Sequence, residues 1–275
     1  MRAHEILLEA DYGDNKTRST PLSVEEFKKL LPNLQVALQQ AEKGVRIYRG
    51  LRRFDVTILY TDPTKSERVS ANTSNELTLL VSSVLPSWKS WPKRSRSLIC
   101  TGSYDYAKSY TYGNPLIVLP IGNPDIGVVP DKDFWDGFGN LPPPSDFNDL
   151  FRQFNRSFRN VFEGDFHIPH NNVDVELLKN EIKAIDSAVV TEPEKMKEVI
   201  AYFLGSHTWN PVYQKQMVKI LTSGDAIKTI DRYYSPDSNG FKLTPLSELK
   251  ASFNELWFSA PAVLISPEQF DRLMN

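Results

Sequence analysis

Strand-like runs lie at the two ends of this chain and almost none lie between them. "VRIYRGLR" and "FDVTILYTD" alternate in the strand manner, "SLICTG" and "PLIVLPIG" are short apolar runs, and strand character returns only in "NELWFSAPAVLIS" near the end. Between them, after the proline- and glycine-rich stretch "DKDFWDGFGNLPPPS" (131–145), the spacing of apolar residues is helical. Isolated strands do not persist, so the last strands must return to pair with the first. The expected fold class is α+β, a β-sheet core with a largely helical insertion at about 146–235. The order lacks the regular strand–helix repetition of a doubly wound parallel sheet.

Local signals fill in this frame. Ser23 and Glu26 form a capping box ahead of "FKKLL", and Pro32 is expected to divide that helix from a second segment, "NLQVALQQAEKG", ending at Gly44. "SNELTLLVSSVL" has helical spacing, and "DYAKSYTYG" reads as a short helix. Phe147, Phe151, Phe154, Phe158 and Phe162 recur every three or four residues, one aromatic stripe along a helix. Such a stripe reads as a packing face, because nucleic-acid stacking residues sit on sheets or in grooves among basic residues. Arg152, Arg156 and Arg159 line another side of that helix, which is compatible with nucleic acid without indicating it.

Composition narrows the function classes less. A formal net charge of -2 over 275 residues gives no global attraction to nucleic acid or anionic membranes. The single cysteine, Cys100, excludes an internal disulfide framework and fits a reducing compartment. No run approaches the roughly 20 apolar residues of a membrane span, so no membrane partner is expected.

Three separated segments carry the chemistry: "IYRG", "SLICTGSYDYAKSY" and "NELWF". Their order resembles the three-part signature of ADP-ribosyltransferases of the arginine-serine-glutamate, cholera-toxin-like type. In that family an arginine ends the first core strand, a Ser-Thr-Ser-like strand precedes a helix with an alanine and an aromatic, and a late strand carries the catalytic glutamate. The resemblance covers about 45–130 and 240–270 and implies a split mixed β-sheet core and NAD as substrate, with ADP-ribose passed to a host protein or other macromolecule. It places Arg49 at the first-strand position, followed by Gly50, which lets the chain turn; Thr101 or Ser103 as the motif hydroxyl; Ala107 and Tyr110 in the helix; and Glu255 as the catalytic carboxylate.

These residue types suit the implied reaction. Cleaving the nicotinamide glycosidic bond develops positive charge on the ribose, and a carboxylate facing that carbon stabilises the transition state more than the ground state. A guanidinium grips the pyrophosphate with two parallel hydrogen bonds and keeps its charge. Thr101 or Ser103 positions the glutamate or the ribose, and one of Tyr104, Tyr106 and Tyr110 stacks on the nicotinamide. The alternative is a noncatalytic virion or interaction protein that retains the fold.

Arginine-modifying members carry an acidic residue two positions before the catalytic glutamate, where this chain has Phe253. The expected acceptor is therefore not a simple arginine side chain, and Glu248 stands on the wrong side of "LKASF" to substitute. Asp165, His167 and His170 in "DFHIPH" read as a polar loop rather than a metal site. Residues 1–20 read as a flexible amino-terminal segment. Its start, "MRAHEILLEA", is similar to capsid-targeting sequences of tailed bacteriophages that are cut after a Leu-x-Glu triplet, here after Glu9. The two resemblances together imply an enzyme carried in the virion and acting in the host cytoplasm.

Overall fold

The computed structural model describes residues 19–51, 57–65, 76–111, 113–134, 136–139, 141–142, 144–162, 174–205 and 210–274. The expected processing site after Glu9 and the Asp165, His167 and His170 group lie outside these residues. Two units are present. The first consists of the described residues within Met1–Ala71, Trp91–Gly137 and Gly240–Asn275, the second of those within Asn72–Ser90 and Phe138–Asn239.

The first unit holds the strands β1 (Ser19–Pro21), β2 (Ile47–Arg49), β3 (Ile58–Thr61), β4 (Leu98–Thr101), β5 (Leu116–Pro120), β6 (Asp125–Val128), β7 (Lys242–Pro245), β8 (Glu255–Phe258) and β9 (Ala262–Ile265). They form a sheet in the order β1-β3-β9-β5-β2-β4-β8-β6-β7. The last strands do return to the first: β9 lies between β3 and β5, and β8 between β4 and β6. The α+β class holds, but the sheet is not mixed, since every described strand pair is antiparallel. Parallel pairs need long crossovers on the sheet; here the long connections instead bring later strands back between earlier ones in the opposite sense.

Pairing between β2 and β4 consists of one aligned pair, Tyr48 with Thr101. On one side of that join β2 and β5 align over three residues, and on the other β4 and β8 align over four. The sheet is continuous, and its ladder is thinnest at this join. Ser19 and Thr20, assigned above to a flexible segment, instead form most of β1 against β3.

One face of the sheet packs on α1 (Val24–Glu42), whose buried residues Phe27, Leu34, Ala37, Gln40 and Ala41 face a core of β-strand residues such as Val118, Leu256 and Leu264. Ser23 and Glu26 make the expected capping box. Pro32 does not divide the helix. The apolar face continues on both sides of it while Pro32 itself is exposed, so packing outweighs the lost hydrogen bond, which costs ~3 kcal/mol in a helix interior. At the far end of the chain, α9 (Pro267–Met274) adds Phe270 to the same core.

The second unit contains α2 (Glu76–Ser83), α4 (Pro144–Phe162), α5 (Val175–Thr191), α6 (Pro193–Leu204), α7 (Pro211–Leu221) and α8 (Ala226–Tyr233). The aromatic stripe of α4 is its core: Phe147, Phe151, Phe154 and Phe158 are buried, Phe147 stacks on Phe151, and Phe154 meets Phe203 of α6 edge-on. Arg152 pairs at 2.6 Å with Glu76, a fully buried carboxylate, so this arginine serves the helix packing.

Glu181 of α5 is buried beside α4; one oxygen accepts from Asn155 Nδ2 at 3.1 Å and Oε1 has no partner. Burial pushes its carboxyl up to about 7, with Arg159 opposing and Glu76 reinforcing the shift. A folded-state value above the unfolded one means that the associated stability is complete below about pH 4.5 and is lost as pH rises through about 7. Glu181→Gln is therefore expected to remove a stability decline between pH 5 and 8, measured by urea unfolding at several pH values. An identical decline in the variant would assign it to another group.

Candidate active site

Of the residues singled out from sequence, strand pairing brings Thr101 and Glu255 side by side, next to the thin join of β2 and β4. Tyr48 of β2 is aligned with Thr101 of β4, and Thr101 with Glu255 of β8, so these three side chains share one face in a row across three strands. Only β-pairing brings them together, because Glu255 is far from the other two in sequence. Glu255 opens β8 with both main-chain groups bonded, its N–H to the Lys132 carbonyl and its carbonyl to the Val129 N–H.

Glu255 is 4% exposed, and Arg94 Nη1 donates to its Oε1 at 2.6 Å. The Arg94 guanidinium in turn lies 3.9 Å from the Phe134 ring centre and 5.2 Å from that of Trp257. Trp257 is two residues along β8 from Glu255, hence on the same face, and stacks on Trp91. Gly127 on the neighbouring strand makes room for it: a Cβ there would stand 2.4 Å from the indole.

Arg49 follows Tyr48, so strand alternation carries its side chain to the other face, toward Cys100. It is 5% exposed, and its Nη1 donates to the Ile99 carbonyl. Gly50 is required for close approach rather than for a left-handed turn: a Cβ there would meet the Ala107 carbonyl at 2.3 Å, because α3 (Tyr104–Lys108) packs directly on this end of β2.

The two candidate hydroxyls have different duties. Thr101 Oγ1 donates to the Phe253 carbonyl at 3.2 Å and accepts from the Ser103 N–H at 3.1 Å, so its proton is committed. Ser103 Oγ caps α3 by accepting from the Tyr106 N–H at 3.1 Å, which leaves its proton for another acceptor. Gly102 between them lies under the backbone of the loop before β8, where an added Cβ would stand 1.7 Å from the Ser252 carbonyl oxygen. That is the physical reason for Cys-Thr-Gly-Ser: no side chain fits at the third position.

The tyrosines divide likewise. Tyr104 donates to Asn114 at 3.0 Å and meets Tyr48 edge-on at 5.5 Å. Tyr110 is buried behind Gly50 and packs edge-on against Tyr106 at 5.2 Å. Burial raises both the Tyr106 and Tyr110 phenols above their ordinary values, and the charges of Asp133 and Glu255 add to it. Tyr106 and Tyr110 thus pack on each other, whereas Tyr104 packs on Tyr48.

Cys100 is buried on β4, opposite Leu256 of β8. Its thiol is pushed up to about 12, first by burial; Arg49 opposes the shift and Glu255 adds to it. The shift predicts that iodoacetamide leaves Cys100 unmodified in the native protein at pH 8 and alkylates it on unfolding, as read by intact mass. Native labelling at the unfolded rate would show that the site opens readily.

Arg94 and Asp133 were not singled out from sequence. Arg94 is one of three cations in "KRSR", and nothing in that run marks it as the one that is buried. Among the described residues no cluster of three or more His, Cys, Asp or Glu is placed to hold a metal ion, and no helix is long and apolar enough to cross a membrane. No family model matches the chain, and no curated protein or solved structure matches it.

Proposed function

We propose that this chain is an NAD-dependent ADP-ribosyltransferase. The observation that supports the reading is the alignment of Thr101 with Glu255, and of Tyr48 with Thr101, where β2, β4 and β8 lie side by side. The strands that carry the three segments of the sequence signature are thereby neighbours, with Arg49 on the opposite face from Thr101 and Glu255. Glu255 faces the ribose carbon whose bond to nicotinamide breaks, and its charge stabilises the oxocarbenium-like transition state. Arg49 is the cation assigned to the pyrophosphate, a task that requires it to release the Ile99 carbonyl and to leave the face opposite Glu255. Ser103, whose hydroxyl proton is uncommitted, is the hydroxyl assigned to the ribose. The direct test is incubation with NAD: the reading expects released nicotinamide and a labelled host extract.

Burial of Glu255 and its pairing with Arg94 favour a second reading, a noncatalytic protein that keeps the ion pair as part of its core. On that reading NAD is neither bound nor cleaved.

Phe253 defines the expected acceptor. It is 81% exposed on the loop whose backbone Thr101 holds, two residues before Glu255. An aromatic ring there can neither take a proton nor pair with a guanidinium, and offers a surface for a flat or weakly charged acceptor. Agmatine is therefore expected to be modified no faster than NAD is hydrolysed. Efficient labelling of agmatine would assign the orienting carboxylate to another residue.

A further inference from the structure

The candidate site contains a buried cation that the sequence signature does not supply. Arg94 begins a 3-10 turn, Arg94–Arg96, and the segment around it is tied to β8 at several points. Trp257 Nε1 donates to the Pro92 carbonyl at 2.9 Å, Ser97 Oγ and Ser259 Oγ are 2.7 Å apart, and Ser97 Oγ donates to the Lys93 carbonyl at 2.7 Å. The guanidinium is held by the Phe134 and Trp257 rings and reaches Oε1 of Glu255 alone. Oε2 of Glu255 accepts no hydrogen bond from the described residues.

Resting on the transferase reading above, we propose that Arg94 is a positioning residue: it fixes the Glu255 carboxylate through one oxygen so that the other is presented to the ribose. A carboxylate on a flexible side chain must otherwise be ordered at the moment of reaction. Groups locked beforehand by packing and outer hydrogen bonds avoid that reorganisation. The two rings and the ties to β8 do the locking here. An arginine suits the place because a planar guanidinium stacks on aromatic faces while donating in its own plane, whereas an ammonium is a point charge with no such plane.

The test compares wild type, Glu255→Gln, Arg94→Lys and Arg94→Met in NAD titrations and in steady-state nicotinamide release, with thermal unfolding as the folding control. Arg94→Met is expected to lower kcat about 10²-fold while KM for NAD changes little, since misplacing a reacting group by about an ångström has that effect. Arg94→Lys keeps the charge without the plane and is expected to recover part of the loss, to within about tenfold of wild type. A pair kept only for packing would not separate kcat from KM in this way. Folded Arg94→Lys and Arg94→Met proteins with wild-type kcat, beside an inactive Glu255→Gln, would overturn the inference and leave the transferase reading standing. Should Arg94→Met not fold, wild-type kcat in Arg94→Lys alone would overturn it. Absence of NAD turnover in the wild type would remove both.

Discussion

Glu255→Gln is expected to lower the rate of nicotinamide release by about 10² or more while NAD affinity stays near wild type, because the lost charge is felt mainly in the transition state. The amide is nearly isosteric with the carboxylate, so its oxygen keeps the hydrogen bond from Arg94 Nη1. What disappears is the negative charge opposite a buried guanidinium, and that has a second consequence. A buried cation without its counter-charge destabilises the fold, here by about 1–3 kcal/mol because the hydrogen bond survives. The catalytic and scaffold readings diverge on this one substitution. Both expect a lower melting temperature, but only the first expects NAD to be cleaved by the wild type and spared by the variant. Glu255→Asp sharpens the comparison, since it keeps the charge and withdraws it by about one methylene, enough to cost on the order of 10² in rate if geometry matters. Unchanged turnover in folded Glu255→Gln would remove Glu255 from the reaction.

Different physical origins explain which parts of this arrangement were legible in the sequence. The interior strands β8 and β9 were legible because "ELWF" and "AVLI" are continuous apolar runs next to turn residues. β6, "DIGV", next to β8, and β7, "KLTP", at the sheet edge, were not, because a glycine and a proline weaken the strand pattern and only the pairing of β6 with β8 and of β7 with β6 makes them strands. Pro32 signalled a break that tertiary packing overrides, and Ser23 with Glu26 signalled a start that local hydrogen bonding secures unaided. At the candidate site, the residue types of Arg49, Thr101, Ser103 and Glu255 were readable, but their mutual placement rests on register between distant strands. Arg94 was invisible because its neighbours Phe134, Trp257 and Glu255 come from other parts of the chain. Gly50 and Gly102 were visible as glycines, yet the backbone oxygens they admit, Ala107 and Ser252, are apparent only in three dimensions.

Gly102→Ala is expected to impair the site as much as a change to Glu255, although residue 102 has no chemistry of its own. An added Cβ would stand 1.7 Å from the Ser252 carbonyl oxygen and 2.9 Å from its carbon, both backbone atoms that no rotamer change can move aside. The loop from 250 to 254 must therefore shift. That loop is tied to β4 by the Thr101 hydroxyl on the Phe253 carbonyl and by the Gly102 N–H on the Asn254 carbonyl, and it leads directly into Glu255. Relief of the clash pulls on these bonds and displaces Glu255 relative to Thr101. Overpacking of this kind costs about 1–3 kcal/mol of stability, and a displacement near one ångström costs on the order of 10² in rate. The sheet remains paired through Leu98 to Cys100 opposite Phe258 to Leu256, so the fold survives and the loss appears in turnover. Circular dichroism, thermal unfolding and nicotinamide release on Gly102→Ala beside Gly113→Ala test this, because residue 113 has open space around its Cβ position. Full activity in Gly102→Ala would mean that the loop before β8 yields without moving Glu255, and that the glycine in Cys-Thr-Gly-Ser has no bearing on the site.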